Sequence, residues 1–325
     1  MTRTVDATDR GPGYDSSSEH LADWAALTAL YIERLTAVRR ALSQRVQVSA
    51  ADRRALLRNH PELAALDQQL ARARADIAAR TAYARRLGVE LPLELVRDRF
   101  GLSPIDLELL AILVTIERGA ALNPYLSASD KSEAAQSDVA FLVALTADGV
   151  EHTPEAVRLR FTGDAPLVDG GLIELASGPG WVPEAPLAYK RLRVAERVLD
   201  FIEGLRAPGD AVLGTVARFV ATPLAAAELI VPDRTVIDEV ARALVRTDHV
   251  LEVIGAPGVG RKAVIGAAAR ALGSPLIVVD LRELPVDARV LADTLRPLVR
   301  ETRLQQGVLV LEGADLYGDA EGQGF

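Results

Sequence analysis

From Leu21 onward, apolar residues return at three- and four-residue steps: Trp24, Leu27, Tyr31, Leu35, Val38 and Leu42. That spacing builds one face of an α-helix. A break follows at Gln47–Ser49, where Ser49 is placed to cap a short helix. Pro61 suits the first turn of a second long helix. There Leu63, Leu66, Leu70, Ala73 and Ile77 keep one face apolar, and Leu87 extends it. The pattern predicts an antiparallel helical hairpin or short coiled coil. Leu91–Phe100 reads as a helix with Gly101 as its stop. Ser103, Pro104 and Asp106 form a start signal for a helix through Leu107, Leu109, Leu110, Ile112 and Leu113. Two helices joined by a short glycine-containing turn have a helix-turn-helix shape.

Val139–Leu145 predicts a further helix, and Val157–Phe161 and Leu172–Leu175 read as short β-like runs. The turn Gly178-Pro179-Gly180 separates these from Leu187–Val194, and Val194–Leu205 closes the region as a helix. Helices followed by a β-hairpin suggest a winged helix. Beyond the break at Ala207-Pro208-Gly209, strand and helix alternate: Val250–Ile254, Arg261–Leu272, Leu276–Asp280, Ala288–Arg303 and Val308–Leu311. This βαβαβ order points to a parallel α/β sheet. The expected fold is therefore mixed: a disordered tail over 1–20, a helical hairpin or coiled coil over 21–88, a winged-helix-like domain over 89–206, a linker over 207–235 and a partial α/β phosphate-loop core over 236–325.

Composition narrows the chemistry. Aromatics are 4%, so the core is built mainly from aliphatic residues. The net charge of −8 argues against a protein that coats nucleic acid. Thirteen Arg against seven acidic residues nevertheless make the stretch from Arg39 to Arg99 locally basic. The absence of cysteine excludes disulfides, thiol catalysis and Cys-based zinc sites, and agrees with a cytoplasmic protein. His20, His60, His152 and His249 have no metal-ligand spacing. No serine sits in a G-x-S-x-G elbow. No stretch approaches the roughly 18 apolar residues that a membrane helix needs.

The strongest chemical signal is Gly255-Ala256-Pro257-Gly258-Val259-Gly260-Arg261-Lys262-Ala263, between an expected strand and an expected helix. Glycines allow successive backbone N–H groups to point at phosphate oxygens, and a helix N-terminus adds favourable partial charge. The usual pattern is G-x-x-x-x-G-K-[ST]. Arg261 stands at its Lys position, and Lys262 at its hydroxyl position. Arg261 keeps a positive charge as a planar fork. Lys262 removes the hydroxyl that would ligate Mg²⁺ and puts a cation in its place. Shifting the register to make Lys262 the phosphate lysine leaves Ala263 where the hydroxyl belongs. ATP or ADP is the expected ligand of the backbone cradle, with Mg²⁺ placement lost. A second element, Val308–Leu311, runs into Glu312, Gly313 and Asp315. Glu312 is the candidate metal ligand and a candidate catalytic residue, and Asp315 is a candidate substitute for the base that the pattern expects after Glu312. Asp315 also suits a loop or cap. Gly313 lacks the side chain of the expected base, which typically contributes about 10²–10⁴-fold in rate. Asp280, at the end of the preceding strand, suits either the cleft or a helix cap.

Taken together, Gly255–Ala263, Leu276–Asp280, Arg300–Gln305 and Val308–Asp315 resemble the first AAA+ module of certain bacterial tandem AAA+ ATPases. Phe100–Pro104 with Leu107–Val114, and later Leu192–Phe201, resemble the winged-helix domain that precedes it. The resemblance covers roughly residues 85–325. It implies a degenerate first module, a second intact module downstream, a ring oligomer and, in many relatives, association with contractile injection systems. The chain stops thirteen residues after Glu312, so it is expected to be a partial chain.

Three readings stand. The chain is the regulatory, protein-binding part of a remodelling ATPase, with its helical hairpin and winged helix docking a partner. Or it is a non-enzymatic scaffold. Or the winged helix reads DNA. Asp106, Glu108 and Glu117 against Arg118 make the candidate recognition helix acidic, where a helix facing phosphates should be basic. Nucleic acid and membrane are therefore not expected partners.

Overall fold

Helical periodicity with a proline start places two long helices at the head of the structure. The computed structural model describes residues 13–43, 60–119, 137–147, 152–176, 185–208, 213–214, 216–230, 234–246, 250–256, 258–284 and 287–314. Helix α1 spans Ser17–Ser43 and α2 spans Pro61–Arg86. Trp24, Leu27, Tyr31 and Leu35 of α1 are buried, as are Leu63, Leu66, Leu70 and Ile77 of α2. The ion pairs Arg40–Glu62, Arg34–Asp67 and Arg80–Asp23 run in opposite chain directions, so the helices are antiparallel. Two expectations change. Helix α1 begins at Ser17, and Tyr14 and His20 are buried, so order reaches into the expected tail. Leu87 does not extend the apolar face: it is the C-cap of α2 and 65% exposed. The break at Gln47–Ser49 and the short helix after it lie outside the described residues.

The pair is not a free-standing coiled coil. Helix α1 also packs on α4 (Pro104–Arg118) and α5 (Val139–Thr146). Helix α3 (Pro92–Phe100) ends at Gly101, and Ser103 caps α4 through a reciprocal box with Asp106. Helix α6 (Pro154–Leu159) occupies the run read as β-like. Thr153 caps it and Pro154 fills its first turn. Val157 and Phe161 are fully buried while Leu159 between them is 55% exposed, whereas a strand would put all three on one face. After α7 (Pro166–Asp169), β1 (Ile173–Ala176) and β2 (Arg191–Val194) pair antiparallel, Ile173 opposite Val194. Asp138 adds a bridge to Arg191. Helix α8 (Glu196–Ile202) follows, and this first unit closes at Gly204. The Gly178-Pro179-Gly180 turn is outside the described residues.

The second unit, from Leu205, is α/β. Its elements are β3 (Ala217–Val220), α9 (Thr235–Leu244), α10 (Arg261–Ala271), β4 (Leu276–Asp280), α11 (Ala288–Gln305) and β5 (Val308–Glu312). The sheet order is β3-β4-β5. Strands β4 and β5 are parallel, with Leu276 opposite Val308 and Asp280 opposite Glu312. Period-two alternation sends Leu276 and Val278 toward Ala269 of α10, and Ile277 and Val279 toward Leu298 of α11. Both faces are covered, which parallel strands require.

This sheet differs from the expected one at its first strand. The segment read as a linker supplies β3, antiparallel on β4. Val250–Ile254 forms no strand: Val250 and Ile254 are 99% and 80% exposed. A strand needs a ladder partner for its backbone groups. Here β3 takes the side of β4 away from β5, and Val250–Ile254 pairs with none of the described strands.

Candidate functional site

The glycine-rich turn opens α10. Gly258 and Gly260 have φ of 83° and 85°, backbone that glycine enters at no steric cost. They swing the chain into a helix whose first N–H groups lack intrahelical acceptors and carry partial positive charge. The side chain of Arg261 folds back, and its Nη1 donates to the carbonyl of Gly255. It therefore closes the turn rather than projecting from it. Lys262 Nζ lies 2.9 Å from Oε1 and 3.2 Å from Oε2 of Glu312. The Lys262 side chain is 62% exposed. An ion pair so open to water contributes at most about 1 kcal/mol, so its importance is where it puts charge.

A second carboxylate ends the neighbouring strand. Asp280 accepts from Arg282 Nε at 2.8 Å, Nη2 at 2.5 Å and the backbone N–H at 3.1 Å. The Arg282 hydrogen bond is the main reason its carboxyl is held below the usual range, with Lys262 a smaller contributor. Asp280 also caps the 3₁₀ turn Leu281–Glu283. The cap is one of the two roles that its sequence position suggested. Gly313, at the position where the phosphate-loop pattern has a base, has φ of 74°, and a Cβ there would meet Arg282 Cγ at 3.1 Å. Val216, Arg218, Val278, Asp280, Glu283 and Glu312 line a cleft of about 190 Å³. Residues of the glycine-rich turn do not line this cleft.

Of the residues singled out for the site, Gly255, Ala256, Gly258, Val259, Gly260, Arg261, Lys262 and Ala263 form the turn and first helical residues, and Lys262 meets Glu312 across fifty positions. Pro257 and Asp315 lie outside the described residues. The arrangement does not fit Mg²⁺. It offers no hydroxyl at the metal position, and each strand-end carboxylate already holds an internal cation. Among the described residues no group of three or more His, Asp or Glu could hold a metal. Sequence reasoning missed Arg282. Its one signal is a basic residue two positions after a strand-ending Asp, a pattern too common to stand out.

The first unit bears on what its winged helix can touch. Leu107 through Thr115 of α4 are all buried, and Asp106 is 0% exposed. This helix is the core of the unit, not a surface that could enter a DNA groove. Glu108 faces inward: it accepts from Tyr31 and from Arg74 Nε at 3.0 Å, and His152 Nε2 lies 3.3 Å away. Burial opposes its charge, but His152, Arg74 and Tyr31 outweigh burial and hold its carboxyl below the usual range. Among the described arginines of the basic stretch, Arg40, Arg74, Arg80, Arg85 and Arg97 form ion pairs within the unit. Among the described residues no helix is long and apolar enough to cross a membrane.

A protein-family model described as "Winged helix domain, variant" matches residues 2–215. No curated protein and no solved structure matches the chain.

Proposed function

This chain belongs to the family of variant winged helix domains, and from that premise we propose that it is the partner-binding, regulatory part of an AAA+ ATPase whose own nucleotide site does not turn over. Winged helix domains bind proteins or nucleic acids. The burial of α4 and the inward use of its acids and of the arginines favour protein. The observation that carries the nucleotide part is the meeting of the glycine-rich turn with the acid end of β5, at Lys262 and Glu312. That convergence is what a phosphate-loop core needs, and it supports ATP or ADP as the ligand. Gly313 leaves the site without a base. The finer reading, resting on the sequence resemblance, is a cytoplasmic, ring-forming machine that remodels proteins of a contractile injection system, with hydrolysis supplied by another module.

A fluorescent ATP analogue titrated into the chain, with phosphate release followed in parallel, tests this. Binding without release is the expected result. Turnover near ~1 s⁻¹, ordinary for an enzyme, refutes it. A second reading, a scaffold that binds no nucleotide, is favoured by the unpaired Val250–Ile254 segment. Absence of analogue binding would select it.

A further inference from the structure

We propose that two internal cations, Lys262 and Arg282, take the place of a divalent metal at the ends of β4 and β5. The proposal rests on the phosphate-loop reading above and adds how the site balances its charge. Mg²⁺ needs near-octahedral oxygen ligands at about 2.0–2.1 Å and gives up its waters reluctantly. The carboxylates of Asp280 and Glu312 end the two strands, opposite each other in the parallel register, and Glu283 lines the same cleft. Lys262 Nζ spans both oxygens of Glu312, at 2.9 and 3.2 Å. Arg282 forks onto Asp280 at 2.5 and 2.8 Å. Two unit positive charges therefore stand where one dication would, and two carboxylates are neutralised. Arg282 also roofs Gly313, 3.1 Å from where a Cβ would sit. Both cationic side chains are 62% exposed, so each can reach a phosphate oxygen without leaving water. The site takes a phosphate-bearing ligand as readily in EDTA as with Mg²⁺, and it does not take the metal alone.

The test uses Mn²⁺ alone, titrated into the full 325-residue chain and followed by the EPR signal of the free ion. The wild type leaves Mn²⁺ free. The double variant Lys262→Thr, Arg282→Ser uncovers both carboxylates and adds two hydroxyls, tightening Mn²⁺ binding at least about tenfold. Adding Glu312→Gln abolishes that gain. Wild-type binding as tight as the double variant's, sensitive to Glu312→Gln, overturns the proposal. So does a double variant that melts like the wild type yet binds no Mn²⁺. If the double variant does not fold, Lys262→Thr alone decides: it frees Glu312 and gains Mn²⁺ affinity, and a folded single variant without that gain counts against the proposal. Failure of the ATP analogue to bind removes the nucleotide reading but leaves these Mn²⁺ outcomes interpretable.

Discussion

His20 is 1% exposed at the start of α1, and its Nε2 accepts the indole N–H of Trp24 at 2.9 Å. The Tyr14 ring centroid is 4.8 Å away, and Glu94 Oε1 lies 3.7 Å from Nε2. Burial, with Arg80 and Arg97 adding to it against the opposing Asp23, lowers its pKa from 6.5 to about 4. Between those values the unfolded chain binds a proton that the folded chain refuses, so this term stabilises the fold at pH 7 and fades as pH falls. Integrating the linkage from pH 7 to pH 5 gives a loss of about 2 kcal/mol. The variant His20→Gln keeps an acceptor for Trp24 but cannot titrate. Urea unfolding followed by helical circular dichroism, at pH 7 and pH 5, measures both proteins. The wild type should lose about 2 kcal/mol more than the variant over that interval. Glu94, whose carboxyl burial raises, acts with the opposite sign, favouring the fold as pH falls. It is present in both proteins and largely cancels. Equal losses in wild type and variant would refute the assignment of a neutral, proton-excluding His20.

The remaining predictions probe packing, the buried polar cluster and the absent base. Leu113→Ala, in the buried α4, should cost about 2–5 kcal/mol in urea unfolding, as expected for a cavity that relaxes only partly. Glu108→Ala removes the acceptor shared by Tyr31, Arg74 and His152, and should cost about 3–5 kcal/mol, measured by the same unfolding assay. Gly313→Glu should leave phosphate release at background and lower stability by about 1–3 kcal/mol, because its backbone lies at positive φ beneath Arg282.

Local chemistry was legible wherever neighbouring residues decide it. The helix faces of Trp24 to Leu35 and Leu63 to Ile77, the Ser103–Asp106 capping box, the alternating strand Leu276–Asp280 and the glycine turn into α10 all appear where spacing places them. Each depends on backbone geometry within a few residues, which a sequence states directly. The departures of Arg261, Lys262 and Gly313 from the phosphate-loop pattern were equally plain, because the presence or absence of a hydroxyl or side chain is a covalent fact. Partnership was not legible. Val157–Phe161 read as β-like because its apolar residues fit two periods, and the Thr153 cap and burial on one side chose the helix. Val250–Ile254 has the composition of a strand yet pairs with none of the described strands, whereas Ala217–Val220, in a stretch read as linker, pairs with β4. Helix α4 has the place of a recognition helix in a helix-turn-helix but not its charge, and packing from several elements makes it the core. Above all, Lys262 and Glu312 stand fifty positions apart. Only the parallel register of β4 with β5, and the packing of α10 on that sheet, bring ammonium to carboxylate. The residues supply the charges; long-range packing decides which of them neutralise one another.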